Sequence, residues 1–565
     1  MVVPTIPHPI SDKNLFTLMP GHFGIYGKGF DAEDVRNAVQ LMVYLDDIHD
    51  LTLDQENSLI CGQVKDKREI SPATFENEVF RFHVDGEIFE PDLGEIQKVE
   101  SRDALFSLLP KINGYYSMII HDRKHQQIHL VTDRYGIRPL YFYQNDSSLG
   151  WSTELKSLVK TIGIKLNLNQ NAIRAYVDLG FLPGDLTWYD EIELIPAASI
   201  WTINLTSRQL QKSRYWSWAD MENRSQLNLE EAVKATAQIF HNAVNRRVQN
   251  DQDHTVALSG GLDSRAIAWW ARKAHPLCFT FGAQDSDDIR LSKQVARTLD
   301  LEHRIFTYDK SNWLNDKIGS IWRTEGMMPF FHLHSSPFCR QFASLGDTVF
   351  NGYGGATILG GVFLGKTQTH IRKIEPYIDL DFEFYGDHLA DALIIDQHMR
   401  RFVNQGTIDV GKYLVQRLPY LDVHLMEHVI TLPNAYRKNH NLFLNMLKDQ
   451  LPSPLYSIAW ENTGLPISPL WLSRSLLSMK WPTIKRVGRL RRPAFNYRRL
   501  VDRSFIETVK DHWLHHGAEI WNYIKDPEPS NLFEDLQETG RILSLEIWLR
   551  LATGENSPDE SFTRF

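Results

Sequence analysis

Apolar positions follow two regimes along the chain. From Gly24 to about Ile203 they come in short runs broken by turn residues: Gly24–Gly27, Glu78–His83, Tyr115–His121, Gln127–Thr132, Leu140–Tyr143 and Ala198–Ile203. Runs of that length, rich in aromatic and β-branched residues, predict strands and a sheet-rich first half. Near Arg214-Tyr215-Trp216 the pattern changes, and from Leu229 apolar residues recur at helical spacing to about Arg247. Asn228 stands where an N-cap belongs, so a long helix is predicted there. Beyond it the spacing predicts a strand at 255–258, a helix from Arg265 to Lys273, a strand at Leu277–Phe281, a helix at Ile289–Leu299 and a strand at Thr348–Phe350. Strands alternating with helices imply a parallel sheet, whose ligands bind beyond the strands' C-terminal ends. From about Asp381 onward helical spacing holds almost throughout. The predicted organisation is one domain over residues 1–205, a linker over 206–227 and a second domain over 228–565.

Composition changes this picture little. The 565 residues are 42% hydrophobic and 23% charged, as in an ordinary globular protein. A net charge of −9 gives no case for binding nucleic acid or a membrane. Cys61, Cys278 and Cys339 are widely spaced and form no zinc or CxxC pattern, which fits a reducing cytoplasm. The opening MVVPTIPHPISDKN lacks a basic start followed by an apolar stretch, and nowhere do about eighteen apolar residues run together. A soluble, cytoplasmic protein is expected.

Candidate chemistry concentrates at Ser259-Gly260-Gly261-Leu262-Asp263-Ser264, which follows the apolar run Thr255-Val256-Ala257-Leu258 and precedes a helix. Adjacent glycines let the backbone bring bare N–H groups against an anion, and the helix's positive end adds to the attraction. Strand, glycine turn and helix N-terminus in that order predict a phosphate-holding loop. No Gly-Lys-Ser/Thr follows, so this is not the Walker loop, and it lacks the GxGxxG spacing of dinucleotide folds. The bland alternative is a strand-to-helix turn capped by Asp263 or Ser264.

The string SGGLDS resembles the PP-loop of enzymes that cleave ATP between its α- and β-phosphates. The resemblance implies that Leu258 to Ser264 cradle the leaving pyrophosphate with main-chain amides and the hydroxyls of Ser259 and Ser264, and that Asp263 carries Mg²⁺. Asn113–Ser117 with Asp122, Thr132–Tyr141, Ser152–Leu158, Arg417–Asp422 and Leu432-Pro433 resemble, in order, motifs of the asparagine synthetase superfamily. That family also holds β-lactam synthetases and lasso-peptide cyclases. Membership implies an α+β, Ntn-hydrolase-like sandwich of glutaminase type, followed by an α/β PP-loop domain with a helical extension. It further implies adenine at Phe281 and Gly282, nucleotide contacts at Gly352 and Gly354, and a tyrosine base at Tyr353.

Several positions depart from the family. Glutamine-dependent members start on a nucleophilic cysteine; here position 2 is Val2, and the family-like start His22-Phe23-Gly24-Ile25 is internal. Asp85, in Asp85-Gly86-Glu87, replaces an amide that would donate to an oxyanion. The first domain is therefore expected to fold as a glutaminase without hydrolysing glutamine. Within Asn351–Gly361 the usual second metal-binding Asp is Ala356, whose methyl group cannot ligate a hard cation, so either Asp347 or Asp288 supplies the oxygen or metal binding is weakened. Ser457–Pro466 lacks the family's lysine, so Arg417, Lys438, Lys448 or the basic run Lys485–Arg499 would have to meet the pyrophosphate charge. Glu325 resembles a substrate-side glutamate. His332 and His334 would share one face of an extended stretch, with no third ligand to make a metal site.

Together these residues imply an ATP-dependent ligase, with ATP and Mg²⁺ as cofactors, that joins a small-molecule or peptide carboxylate to an amine donor through an acyl-adenylate. Free ammonia or an amine of the substrate itself would supply the nitrogen. A non-catalytic nucleotide-binding relative and an ammonia-dependent asparagine synthetase are the alternatives, and a homodimer is the assembly considered.

Overall fold

The computed structural model describes residues 21–27, 30–42, 49–56, 59–71, 74–162, 166–221, 226–479, 492–524 and 533–554. In the first half the strands are β1 (Gly21–Gly27), β2 (His49–Glu56), β3 (Leu59–Asp66), β4 (Thr74–Glu76), β5 (Phe80–Glu90), β6 (Asn113–Asp122), β7 (Gln127–Thr132), β8 (Tyr141–Gln144), β9 (Ser148–Ser152), β10 (Ile192–Leu194), β11 (Ser199–Asn204) and β12 (Leu210–Arg214). They make two six-stranded sheets, ordered β10-β8-β9-β1-β3-β2 and β12-β11-β7-β6-β5-β4. Every pairing in them is antiparallel.

The sheets stack face to face through Leu59, Phe142, Leu149 and Trp151 from one and Ile119, Leu130, Trp201 and Ile203 from the other. Each outer face is covered in turn. Val35 and Val39 of the helix Ala32–Gln40 and Leu158 of the helix Leu155–Ile162 pack on Phe23 and Ile25, while Leu105 and Leu109 pack on Phe82 and Met118. A strand with cover on both sides has no solvent face, which is why every residue of β6 is buried. The predicted linker is structured near its start: β12 pairs with β11 from Ser199↔Arg214 to Ile203↔Leu210.

The second half opens on the helix Leu229–Arg246, whose start is set by a reciprocal cap. Asn228 Oδ1 accepts from the Glu231 amide at 3.1 Å and Glu231 Oε2 from the Asn228 amide at 2.9 Å. Then come β13 (His254–Ala257), β14 (Leu277–Ala283), β15 (His303–Tyr308), β16 (Thr348–Phe350) and β17 (Val415–Arg417) in one sheet, ordered β15-β14-β13-β16-β17 and parallel throughout. Val256 and Phe350 pack on helical residues Ile267, Leu291 and Val295 on one face, and Phe279 and Val349 on Ile321 and Phe342 on the other. The connections run in opposite directions on either side of β13, which opens a crevice between the C-terminal ends of β13 and β16.

The two halves are welded by charge. Arg417 is fully buried against Glu87 of the first half; Asp422, paired within its own half to Arg246 at 2.7 Å and Arg247 at 2.8 Å, accepts across the interface from Asn113 Nδ2 at 2.9 Å. The Tyr115 hydroxyl donates to the Gln416 carbonyl at 2.9 Å. Two of the sequence segments singled out above, around Asn113 and around Arg417, therefore face each other across the interface. Among the described residues no helix is long and apolar enough to cross a membrane.

Candidate functional site

The sequence Ser259–Ser264 forms the turn between β13 and the helix Asp263–Ala271, at the edge of the crevice. Its donors are organised inward. The Ser259 amide donates to Ser264 Oγ at 3.0 Å, the two serine hydroxyls lie 3.0 Å apart, and the Gly261 amide donates to Ser259 Oγ at 3.1 Å. The Gly260 amide donates to Asp288 Oδ1 at 3.1 Å, so this N–H already holds an anionic oxygen. Leu258 and Leu262 are core residues that anchor the two ends of the turn.

Opposite stands the loop after β16. Gly352 and Gly355 are glycines because Asp263 presses against them: a Cβ at 352 would lie 3.1 Å from Asp263 Cβ, and one at 355 would lie 2.6 Å from Asp263 Oδ1. Gly354 has φ of 88°, a left-handed turn that glycine adopts without strain. The backbone amide of Ala356 hydrogen-bonds the Asp263 carboxylate, and burial pushes that carboxyl up to about 7. The Tyr420 hydroxyl donates to the Asp263 carbonyl at 3.0 Å and fixes the start of the helix.

A cavity of about 1120 Å³ lies at the C-terminal ends of β14 and β15, lined by Ala283, Asp285, Asp288, Tyr308, Glu461 and the stretch Arg492–Leu500. Asp288 links it to the loop. So does Glu461, whose amide donates to the Gly260 carbonyl at 3.3 Å. Glu461 is held there by Arg265, a fully buried side chain that donates to the carbonyls of Ile458 at 2.9 Å and Ala459 at 2.8 Å. Sequence reading missed Arg265, Tyr420 and Glu461. The available signals were an arginine directly after the loop motif and the places of Tyr420 within Arg417–Asp422 and of Glu461 within Ser457–Pro466.

Other expected residues lie elsewhere. Tyr353 is 5% exposed, does not line the cavity, and its hydroxyl has no hydrogen-bond partner; burial raises its pKa well above the ordinary value, so the phenol is a poor base in this position. Asp347 accepts from the Asp253 amide at 2.9 Å at the opposite end of the sheet, so of the two candidate oxygen donors only Asp288 reaches the loop. Glu325 is buried between the halves, where it accepts from the Lys156 amide at 2.8 Å. Asp85 is buried with its carboxyl raised by desolvation, 3.9 Å from Arg138. Phe23 is a core residue. His332 ends a short 3-10 turn rather than a strand, and among the described residues no three His, Cys, Asp or Glu side chains group as a metal site. Phe281 and Gly282 stand near the C-terminal end of β14, and Phe281 packs on Phe495 of the cavity wall.

The candidate cations separate as well. Arg417 is consumed by Glu87, and Lys438 and Lys448 are exposed on helices away from the cavity. Residues 485–491 of the basic run lie outside the described residues; Arg492, Arg498 and Arg499 line the cavity.

Comparison with known proteins gives two family matches. Residues 104–216 match the glutamine amidotransferase domain family, and residues 235–410 match the asparagine synthase family. A glutamine-hydrolyzing asparagine synthetase 2 of Bacillus subtilis is 24% identical over 486 residues, covering 73% of this chain and 63% of its own length. A glutamine-hydrolyzing asparagine synthetase of Mesocricetus auratus is 27% identical over 236 residues, covering 40% of this chain and 39% of its own. The chain thus matches less than two thirds of either relative. A solved glutamine phosphoribosylpyrophosphate amidotransferase from B. subtilis overlays with a TM-score of 0.27 at 9% identity, over 52% of this chain and 91% of its own, too slight a likeness to carry an argument.

Proposed function

Because the chain belongs to the asparagine synthetase superfamily, we propose that it is an ATP-dependent ligase that forms an amide through an acyl-adenylate. The observation that carries this reading is the Ser259–Ser264 turn, which already holds a carboxylate oxygen on the Gly260 amide and is bonded to Asp288 and Glu461 on the wall of the adjoining cavity. A carboxylate oxygen of the substrate attacks the α-phosphorus, the bond to the bridging oxygen breaks, and pyrophosphate leaves with the electron pair. An amine nitrogen then attacks the acyl carbon, AMP departs, and the amine gives up its proton.

The residues divide this work. Ser259 and Ser264 turn their paired hydroxyls from each other to the leaving phosphates, and Gly260 exchanges the Asp288 oxygen for a phosphate oxygen. Phe281 and Gly282 form the wall for the base, and Gly352 and Gly354 bring the opposing loop close. Asp263 would hold the magnesium ion, with no second carboxylate at Ala356 to share it. When bound, Mg²⁺ offsets phosphate charge.

Asp85 and Phe23 leave the first domain without an oxyanion amide or a thiol at those positions, so its role is to scaffold the second. Nitrogen comes from ammonia or from an amine of the substrate. Cysteines as widely spaced as Cys61, Cys278 and Cys339 suit a reducing cytoplasm.

A second reading, a nucleotide-binding protein without catalysis, is favoured by one observation: the Ala356 amide occupies the Asp263 carboxylate, which burial holds half protonated near neutrality. Product analysis separates the two. The full chain with Mg-ATP, ammonium and a panel of carboxylates beginning with aspartate is expected to yield AMP and pyrophosphate. ADP and phosphate, or bound but unchanged ATP, would overturn the ligase reading.

A further inference from the structure

The cavity is closed on one side by Arg492–Leu500, more than two hundred residues beyond the loop in sequence. This strap is fastened by its backbone. The Ala283 amide donates to the Ala494 carbonyl at 2.7 Å, the Asp287 amide to the Arg492 carbonyl at 2.9 Å, and the Arg492 amide to Asp287 Oδ2 at 3.1 Å. A Cβ at Gly282 would lie 3.2 Å from Ala494 Cβ, so the glycine lets the strap lie close. Phe495 stacks on His334 with ring centroids 3.9 Å apart and planes at 5°, and the Tyr497 hydroxyl lies 2.9 Å from His334 Nδ1. Such docking fixes where the intervening side chains stand.

It places Arg498 and Arg499 on the cavity wall, on a short turn, Tyr497–Arg499. Among the described residues neither guanidinium has an ion-pair or hydrogen-bond partner. Of the three acids lining the cavity, Asp285, Asp288 and Glu461, the last two touch Gly260. Ser457–Pro466 brings a carboxylate and no lysine to the loop. Asp288 and Glu461 thus bring the edge of the loop to the volume whose far wall carries Arg498 and Arg499. Guanidinium groups bind phosphate oxygens in pairs, a geometry an ammonium lacks.

We propose that Arg498 and Arg499 bind the β- and γ-phosphates of a nucleotide held on the Ser259–Ser264 loop and meet the charge of the departing pyrophosphate. This rests on the nucleotide reading above. The positive charge comes from the strap instead of from the segment after Leu432-Pro433.

The test titrates the full chain calorimetrically with Mg-ATP, pyrophosphate and AMP, comparing wild type, R498A/R499A, R498K/R499K and R503A. Arg503 is exposed, pairs with Glu507 and lies outside the cavity. The double alanine variant is expected to bind ATP and pyrophosphate about tenfold or more weakly while AMP changes by less than about threefold. The lysine pair recovers part of the loss, and R503A behaves as wild type. Equal ATP and pyrophosphate binding by wild type and R498A/R499A overturns the proposal and leaves the nucleotide reading intact. Equal loss of AMP also overturns it, by showing that the arginines only hold the strap. A wild type that binds AMP but neither ATP nor pyrophosphate overturns the proposal too, and one that binds no nucleotide defeats the underlying reading.

Discussion

Replacing Gly355 with alanine isolates what Asp263 does. The new Cβ would stand 2.6 Å from Asp263 Oδ1, 2.7 Å from Cγ and 2.9 Å from Cβ, closer than carbon tolerates. The backbone has little room to yield. Tyr420 holds the Asp263 carbonyl at 3.0 Å, and Gly354 fixes the turn before residue 355 with φ of 88°. The carboxylate must rotate instead, losing the Ala356 amide and its approach to a metal. Overpacking of this kind costs about 1–3 kcal/mol of stability. Losing a contact to a charged partner is worth about 1.5–3 kcal/mol, and about 1.4 kcal/mol is tenfold in affinity, so Mg-ATP binding should weaken about 10- to 100-fold. The assay is calorimetric titration of G355A and wild type with ATP, once with Mg²⁺ and once with chelator. Loss is expected mainly with Mg²⁺ present. Unchanged Mg-ATP affinity, or equal loss in both buffers, would refute the assignment of Asp263 to the metal.

Three further outcomes follow from the same geometry. Burial pushes the Asp263 carboxyl up to about 7, so between the ordinary carboxylate range and about pH 7 the folded chain holds a proton that the unfolded chain has released. Stability contributed at this site is therefore highest in acid and falls as pH rises through that window, whereas Mg-ATP affinity, which needs the carboxylate, rises: about tenfold weaker binding at pH 6 than at pH 8, flattened in D263N, is the expected titration result. Removing Arg417 as R417M strands the Glu87 charge in the interior and should cost about 3–5 kcal/mol in urea denaturation, with E87L/R417M recovering much of it; an unchanged midpoint in R417M would contradict the weld between the halves. Tyr353 has a buried hydroxyl without a partner, so Y353F should hold or gain about 1 kcal/mol of stability and keep AMP formation, while a tenfold drop in AMP formation would return the tyrosine to the reaction.

Local chemistry was the legible part of this chain. The capped helix after Asn228, the strand entering Ser259 and the β-α-β order follow from periodicity and turn residues, and the structure has them within a few residues of the expected bounds. Strands β15 and β17 escaped because HRIFTY mixes charge with apolar residues without a clean period and VQR is only three residues long. The apparent linker hid β12, whose sequence LQKSR is half exposed and reads as loop. Motif position alone did not show the surroundings of Tyr353 and Glu325: a slot in a motif says which residue stands there, not which way it points, and both side chains are buried, Glu325 against the Lys156 amide of the first half. The strap at Arg492–Leu500 could not have been placed from sequence. It docks by main-chain hydrogen bonds to Ala283 and Asp287, which leave no side-chain signature, and its approach depends on a single glycine far upstream.

Pyrophosphate exchange into ATP tests the central claim most directly, because only reversible cleavage between the α- and β-phosphates incorporates labelled pyrophosphate. The full chain with Mg²⁺, ATP and a carboxylate panel is expected to incorporate label with at least one carboxylate, and D263N is expected to lose that incorporation. ATP bound by wild type with no label incorporated under any carboxylate, or exchange undiminished in D263N, would contradict it.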